Sequence, residues 1–162
     1  MNALCDVVLS VLEPADVLEI RSWEAYPKEF EELDYALREG GWLDEYVKKL
    51  NTDIFAVRCE GELIGFSILH DNEYGTEFRI ALKHDKLGLG LGRKIALATI
   101  QKAFTCKEKS SIYLIVRVNN TRAKALYEKL GFTLKERYIQ TVNAKEVSFF
   151  KMELQRSDFY LT

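Results

Sequence analysis

Cysteine is scarce and scattered in this chain. The 162 residues hold three, Cys5, Cys59 and Cys106, with no C-x-x-C spacing, so neither a zinc site nor a disulfide framework is expected. They read as small buried thiols in a reducing cytoplasm. Proline is rarer still, with two. Pro14 suits the first turn of a helix, and Pro27 restricts Tyr26 to extended geometry. Neither sign of charge dominates: 23 Lys and Arg face 25 Asp and Glu, a net charge of −2, which leaves no basic footprint for nucleic acid. No apolar run approaches the ~18 residues a membrane span needs. The N-terminus lacks the basic-then-apolar order of a signal peptide, so no leader is expected. There is no internal repeat, low-complexity tract or linker. What remains is an ordinary globular composition, 48% hydrophobic and 30% charged, at a length that predicts one domain needing no staples.

Glycine, in contrast, is concentrated where it counts. The stretch 78–104 reads FRIALKHDKLGLGLGRKIALATIQKAF. Phe78, Ile80 and Leu82 alternate with Arg79, Ala81 and Lys83, the period of a strand. Gly88, Gly90 and Gly92 follow at every second position, and a helical pattern follows them. Glycines so spaced let the backbone pass close to a ligand with its N–H groups turned inward. The positive end of the helix dipole lies at the same turn. Strand, glycine turn and helix N-terminus together predict a phosphate or pyrophosphate site. Two named motifs fail here. A P-loop needs Gly-Lys-Ser/Thr, whereas Gly92 is followed by Arg93, Lys94 and Ile95. A Rossmann turn needs G-x-G-x-x-G and an acid roughly 20 residues on, whereas the spacing here is G-x-G-x-G and 110–118 contains no acid.

The second motif lies downstream, where 119–132 reads NNTRAKALYEKLGF. With the glycine turn, this resembles the GNAT superfamily of acetyl-CoA-dependent N-acetyltransferases. That family carries Q/R-x-x-G-x-G/A before a helix, and about 30 residues later a strand and N-x-x-A-x-x-L-Y-x-x-x-G-F. Asn120, Ala123, Leu126, Tyr127, Gly131 and Phe132 match the second motif in full. Gly90-Leu91-Gly92 match the first, and the Gln/Arg position falls on Leu87 with Lys86 beside it. The resemblance covers roughly residues 55–154.

It implies an α/β (α+β mixed) fold. Its central sheet is mixed, mostly antiparallel and of about seven strands, splayed between strands 4 and 5, with helices on both faces. Within a single domain, 1–52 would form acceptor-side helices and 53–118 the sheet and acetyl-CoA-binding core. The stretch 119–155 would form a C-terminal helix and hairpin, and 156–162 a tail. It also implies transfer of an acetyl group from acetyl-CoA to a primary amine by direct attack, with no metal. The phenol of Tyr127 would serve as general acid to the leaving thiolate. The backbone N–H groups of Leu87, Gly88, Leu89, Gly90, Leu91, Gly92 and Arg93 would hold the pyrophosphate. Ile80 and Leu82 would meet the pantetheine, and Asn120 would cap its helix and touch the cofactor.

The general base is open among Glu77, Glu73, His70, His84 and Glu24. Glu77 is favoured because it opens the strand beside the pantetheine, although an ion pair with Arg79 would explain it equally. Trp23, Glu24 and Tyr26 are candidates for acceptor binding, with Trp42 near them. The first third is acidic, which reads either as a solvated face or as a negative lip for a cationic amine. The resemblance leaves room for another acyl-CoA, for a non-catalytic acetyl-CoA sensor or scaffold, and for a homodimer. No nucleic acid or membrane partner is expected, and the setting is taken as cytoplasmic.

Periodicity predicts strands at 7–12, 54–59, 63–70, 76–83, 111–118, 132–142 and 147–154. Helices are expected at 15–22, 28–39, 42–50, 90–107 and 120–130, with a loose tail over 155–162.

Overall fold

The computed structural model describes residues 5–161, with the side chains of 160 and 161 left aside. Seven strands form one sheet: β1 (Val7–Val11), β2 (Thr52–Cys59), β3 (Glu62–Asn72), β4 (Gly75–Leu82), β5 (Ser111–Arg117), β6 (Thr133–Val142) and β7 (Lys145–Gln155). Their order is β1-β2-β3-β4-β5-β7-β6. The β4–β5 pair is parallel, in the register Glu77↔Tyr113; β1–β2, β2–β3, β5–β7 and β6–β7 are antiparallel. The helices are α1 (Pro14–Arg21), α2 (Trp42–Val47), α3 (Leu91–Gln101), α4 (Thr121–Lys129) and α5 (Arg156–Leu161). This is the mixed sheet with surrounding helices that the motifs implied. The chain packs as two compact units. One runs to Asp71 and resumes over Arg79–Ile100, and the other comprises Asn72–Phe78 and the residues from Gln101 on.

In the first unit, the sheet is covered on both faces. Phe66, Ile68, Ala56 and Ala81 pack with Ile20, Leu37, Leu43 and Tyr46 on one side. Val57, Ile64, Leu91 and Ile95 pack on the other. Pro14 opens α1 as expected, and the Glu13 amide donates to the Asp16 carboxylate to close its first turn at 2.9 Å. Arg58 of β2 then reaches Asp16 at 2.6 Å and ties that helix to the sheet. Gly65 marks the tightest point. A Cβ there would lie 2.4 Å from the Ala81 carbonyl oxygen and 3.2 Å from Ile95 Cδ1.

The second unit is built on β5, β7 and β6. Ile112, Leu114, Met152 and Leu154 are buried along two of these strands. Asn143 and Ala144 turn the β6–β7 hairpin with φ of 50° and 63°. Gly131 follows α4 with φ of 105°, the helix-ending conformation expected of it.

Four expectations are corrected. The helix read at 28–39 is a 3-10 helix over Lys28–Ala36, with Phe30 outside helical geometry at φ −120° and ψ 18°. The helix read at 90–107 stops being α-helical after Gln101 and widens into a π-turn over Lys102–Cys106. The tail forms α5, and Phe159 packs on the buried Phe104 at 5.6 Å between centroids; Thr162 and the side chains of Tyr160 and Leu161 lie outside the described residues. Finally, Cys5 and Cys59 are not scattered in space: antiparallel pairing of β1 with β2 brings their Cα atoms to 6.1 Å, a separation a disulfide can span. Cys106, expected to be buried, is an exposed thiol.

Gly65→Ala tests the close approach of β3 to β4. The added methyl has backbone on one side and Ile95 on the other, so a loss of about 1–3 kcal/mol is expected from urea unfolding. Unchanged stability would show that the strands separate at no cost.

Candidate active site

The turn before α3 is built as its glycines require. After β4, a short 3-10 turn over His84–Lys86 leads to Leu87 in extended geometry. Gly88 and Gly90 then take φ of 79° and 78°, the left-handed region that side chains resist. Both are exposed, and a Cβ built on Gly90 meets nothing within 4 Å. Leu91 and Ile95 anchor α3 in the core, and its first turn carries no acid. An open left-handed turn at the positive end of an eleven-residue helix fits a diphosphate. Arg93 is exposed in that first turn, whereas the Lys94 ammonium is committed to the Cys5 carbonyl at 2.6 Å.

On β4, Ile80 and Leu82 face the α3 side and pack against its cluster. The opposite row begins with Arg79, whose guanidinium lies 5.1 Å from the centroids of both Trp42 and Tyr46. Periodicity within one strand gave no hint of this stack, because the two rings come from α2. Tyr46 also meets the buried His70 edge-on at 5.3 Å. His70 Nδ1 is hydrogen-bonded with the Thr52 hydroxyl at 2.7 Å, across the register pair Thr52↔His70.

The acceptor candidates separate. Trp23 and Tyr26 are buried, and Glu24 between them is exposed. The Tyr26 phenol donates to the Leu82 carbonyl, so that oxygen of β4 is already engaged. Burial, with the Asp34 charge adding to it, pushes this phenol above its ordinary pKa and keeps it a donor. An apolar groove of about 580 Å³ also runs along β1 and α1, lined by Val11, Pro14, Leu18, Val47 and Ile54 among others. None of the residues predicted for the site lines it.

In the second unit, Glu77 is buried on β4 beside Tyr113 of β5. Tyr113 accepts from the Asn72 amide at 2.6 Å, and Lys151 lies 4.8 Å over its ring. Tyr127 is 8% exposed, held edge-on by Phe78 at 6.1 Å and by Phe132 at 5.6 Å. Two of its aromatic neighbours thus come from the strand and the motif that pointed to it. Asn120 caps α4 through its side chain, which accepts from the Ala123 amide at 3.2 Å.

Three carboxylates of the acidic first third have basic partners nearby. Arg38 clasps Asp34 with two hydrogen bonds of 2.7 and 2.8 Å. Arg21 pairs with Asp44, and Lys49 lies 3.0 Å from Glu45. Hydrogen bonding from Arg38 holds the Asp34 carboxyl below the ordinary carboxylate value, and Arg21 does the same for Asp44. Among the described residues, no group of three or more His, Cys, Asp or Glu is placed to hold a metal ion, and no helix is long and apolar enough to cross a membrane.

The model of the acetyltransferase (GNAT) family matches residues 16–132. The chain belongs to this family. It is 30% identical over 94 residues to the spermidine N(1)-acetyltransferase of Escherichia coli K12, a match that takes in 56% of this chain and 50% of that protein. The chain therefore aligns with about half the length of that relative. A spermidine N-acetyltransferase chimera from Vibrio cholerae and hSSAT superposes with a TM-score of 0.76 at 23% identity, covering 97% of this chain and 99% of the other. The Vibrio cholerae enzyme in complex with CoA and spermine gives 0.72 at 22% identity, covering 96% and 98%. Both structures share the fold.

The lowered Asp34 and Asp44 carboxyls set a pH dependence. Their folded values lie below the unfolded ones, so their stabilisation is complete above about pH 4 and is lost as pH falls through the folded values. Thermal midpoints should therefore drop on acidification below about pH 4, and Arg38→Gln should flatten part of that drop. An identical acid-side slope in the variant would remove the Asp34–Arg38 pair from the explanation.

Proposed function

We propose that this GNAT enzyme moves an acetyl group from acetyl-CoA to a primary amine in a ternary complex, by direct attack without a covalent acyl-enzyme. The observation that carries the reading is the open glycine turn with left-handed Gly88 and Gly90 at the start of α3. Backbone N–H groups of Leu87, Gly88, Leu89, Gly90, Leu91, Gly92 and Arg93 would hold the diphosphate. Ile80, Leu82 and Asn120 would hold the rest of the cofactor. At Leu82 the N–H is the group for the pantetheine, because Tyr26 has taken the carbonyl.

When bound, acetyl-CoA supplies an activated acetyl thioester. The protein then has two protons to manage. A lysine-type amine with pKa about 10.4 is neutral only after roughly 4–5 kcal/mol has been spent at pH 7. The buried Glu77 carboxylate takes that proton directly or through water. As the amine nitrogen bonds to the acetyl carbon, the carbon–sulfur bond breaks and its electron pair stays on sulfur. The Tyr127 phenol gives its proton to that sulfur, so N-acetylated amine and CoA thiol leave. The packing of Tyr127 between Phe78 and Phe132 supports this role, since it fixes the ring.

Amines of the spermidine type enter as acceptors through the names of the relatives. Thiol release with acetyl-CoA and an amine panel tests the activity; tight binding without release would favour a sensor. Tyr127→Phe should lower turnover by about tenfold or more with CoA affinity nearly intact, and wild-type turnover would remove Tyr127 from the mechanism. Gly92→Val should abolish acetyl-CoA binding in a folded protein. Unchanged affinity, read by calorimetry, would overturn the cradle.

A further inference from the structure

The peptide between Leu82 and Lys83, where β4 ends, is held from both sides. The Lys83 N–H donates to the Ile64 carbonyl of β3 at 2.7 Å. Across this trans peptide the Leu82 carbonyl points the opposite way, off the edge of β4 that β3 does not cover. In an extended strand the N–H and carbonyl of one residue share a side, so the Leu82 N–H lies on that edge too. There the carbonyl accepts from the phenol of Tyr26, a buried side chain from the first third of the chain. Beyond this peptide, only the 3-10 turn His84–Lys86 separates β4 from Leu87 and the left-handed Gly88 and Gly90.

The loop that carries Tyr26, between α1 and the 3-10 helix Lys28–Ala36, has a fastening of its own. Arg38 donates to the Trp23 carbonyl at 2.8 Å and to the Arg21 carbonyl at 3.3 Å. The same guanidinium clasps Asp34, and the Asp34 carboxylate accepts from the main-chain N–H of Tyr26. Pro27 keeps Tyr26 extended. An ion pair between neighbouring turns does little by itself. This one engages main-chain groups of Arg21, Trp23 and Tyr26, and so sets where the phenol stands.

We infer that Tyr26 is a positioning residue for the cofactor, held in place by the Asp34–Arg38 pair: together they fix the last peptide of β4, so that the Leu82 N–H and the glycine turn beyond it are set before acetyl-CoA arrives. This rests on the acetyl-CoA reading of that turn, and it moves Tyr26 from the acceptor to the cofactor. A peptide left unfixed must be ordered by the ligand itself, which weakens binding. No covalent step is involved.

Tyr26→Phe keeps the ring and removes the hydroxyl. Calorimetry with CoA, well below the thermal midpoint, should show affinity reduced by about three- to tenfold, the effect of one hydrogen bond. The ¹⁵N signal of Lys83, whose nitrogen belongs to the pinned peptide, should move in this variant without CoA. Arg38→Gln should produce both changes through Tyr26, so the double variant should bind CoA no more weakly than the weaker single one. A bond that served stability alone would lower the thermal midpoint and leave CoA affinity as it was. Wild-type affinity in Tyr26→Phe, an unmoved Lys83 signal, or losses that multiply in the double variant would each overturn the proposal. Should Tyr26→Phe not fold, Arg38→Gln decides alone, and wild-type CoA affinity there overturns it. Failure of the acetyl-CoA reading looks different, because the unaltered protein would then ignore CoA.

Discussion

β3 has no side to give to water. Every residue from Leu63 to His70 is buried, so both faces of the strand must be filled with apolar groups before the first unit can be stable. Leu63, Phe66 and Ile68 meet the layer of α1, α2 and the 3-10 helix on one face, and Ile64 meets α3 on the other. Gly65 completes the arrangement by having no side chain where the Ala81 carbonyl and Ile95 arrive. The glycine turn is the link between β4 and α3, two elements that both lean on this strand. Its glycines shape the turn, but packing on β3 decides where it stands.

Much of this was legible in the sequence because the signals were local. Alternation at Phe78, Ile80 and Leu82, the spacing of Gly88, Gly90 and Gly92, and the run from Asn120 to Phe132 each lie within one or two turns of chain. They recovered strand, turn and capped helix. What escaped depended on distant segments. Arg79 lies over Trp42 and Tyr46, more than thirty positions away in the sequence, a stack that no local spacing announces. Cys5 and Cys59 are 54 residues apart and meet only once β1 lies against β2. One miss did leave a trace. Phe30, Leu33 and Ala36 recur every three residues, which suits a 3-10 helix better than the α-helix expected there.

The acidic first third shows how counting charges along a sequence can mislead. Asp16, Asp34, Asp44 and Glu45 each have a basic partner within the unit. Such pairs at a surface contribute little to stability, roughly 0–1 kcal/mol each. The side chains of Arg79 and Lys83 next to aromatic rings are cations, which a count of acids along the first third does not reveal.

The π-turn that ends α3 has a consequence for the far end of the chain. One extra residue in the turn rotates the segment after it, and Phe104 comes to rest fully buried with Phe159 against it. The last helix thus acts as a plug. Cutting the chain after β7 would bare the Phe104 ring to solvent, so trimming for convenience at that end would invite self-association.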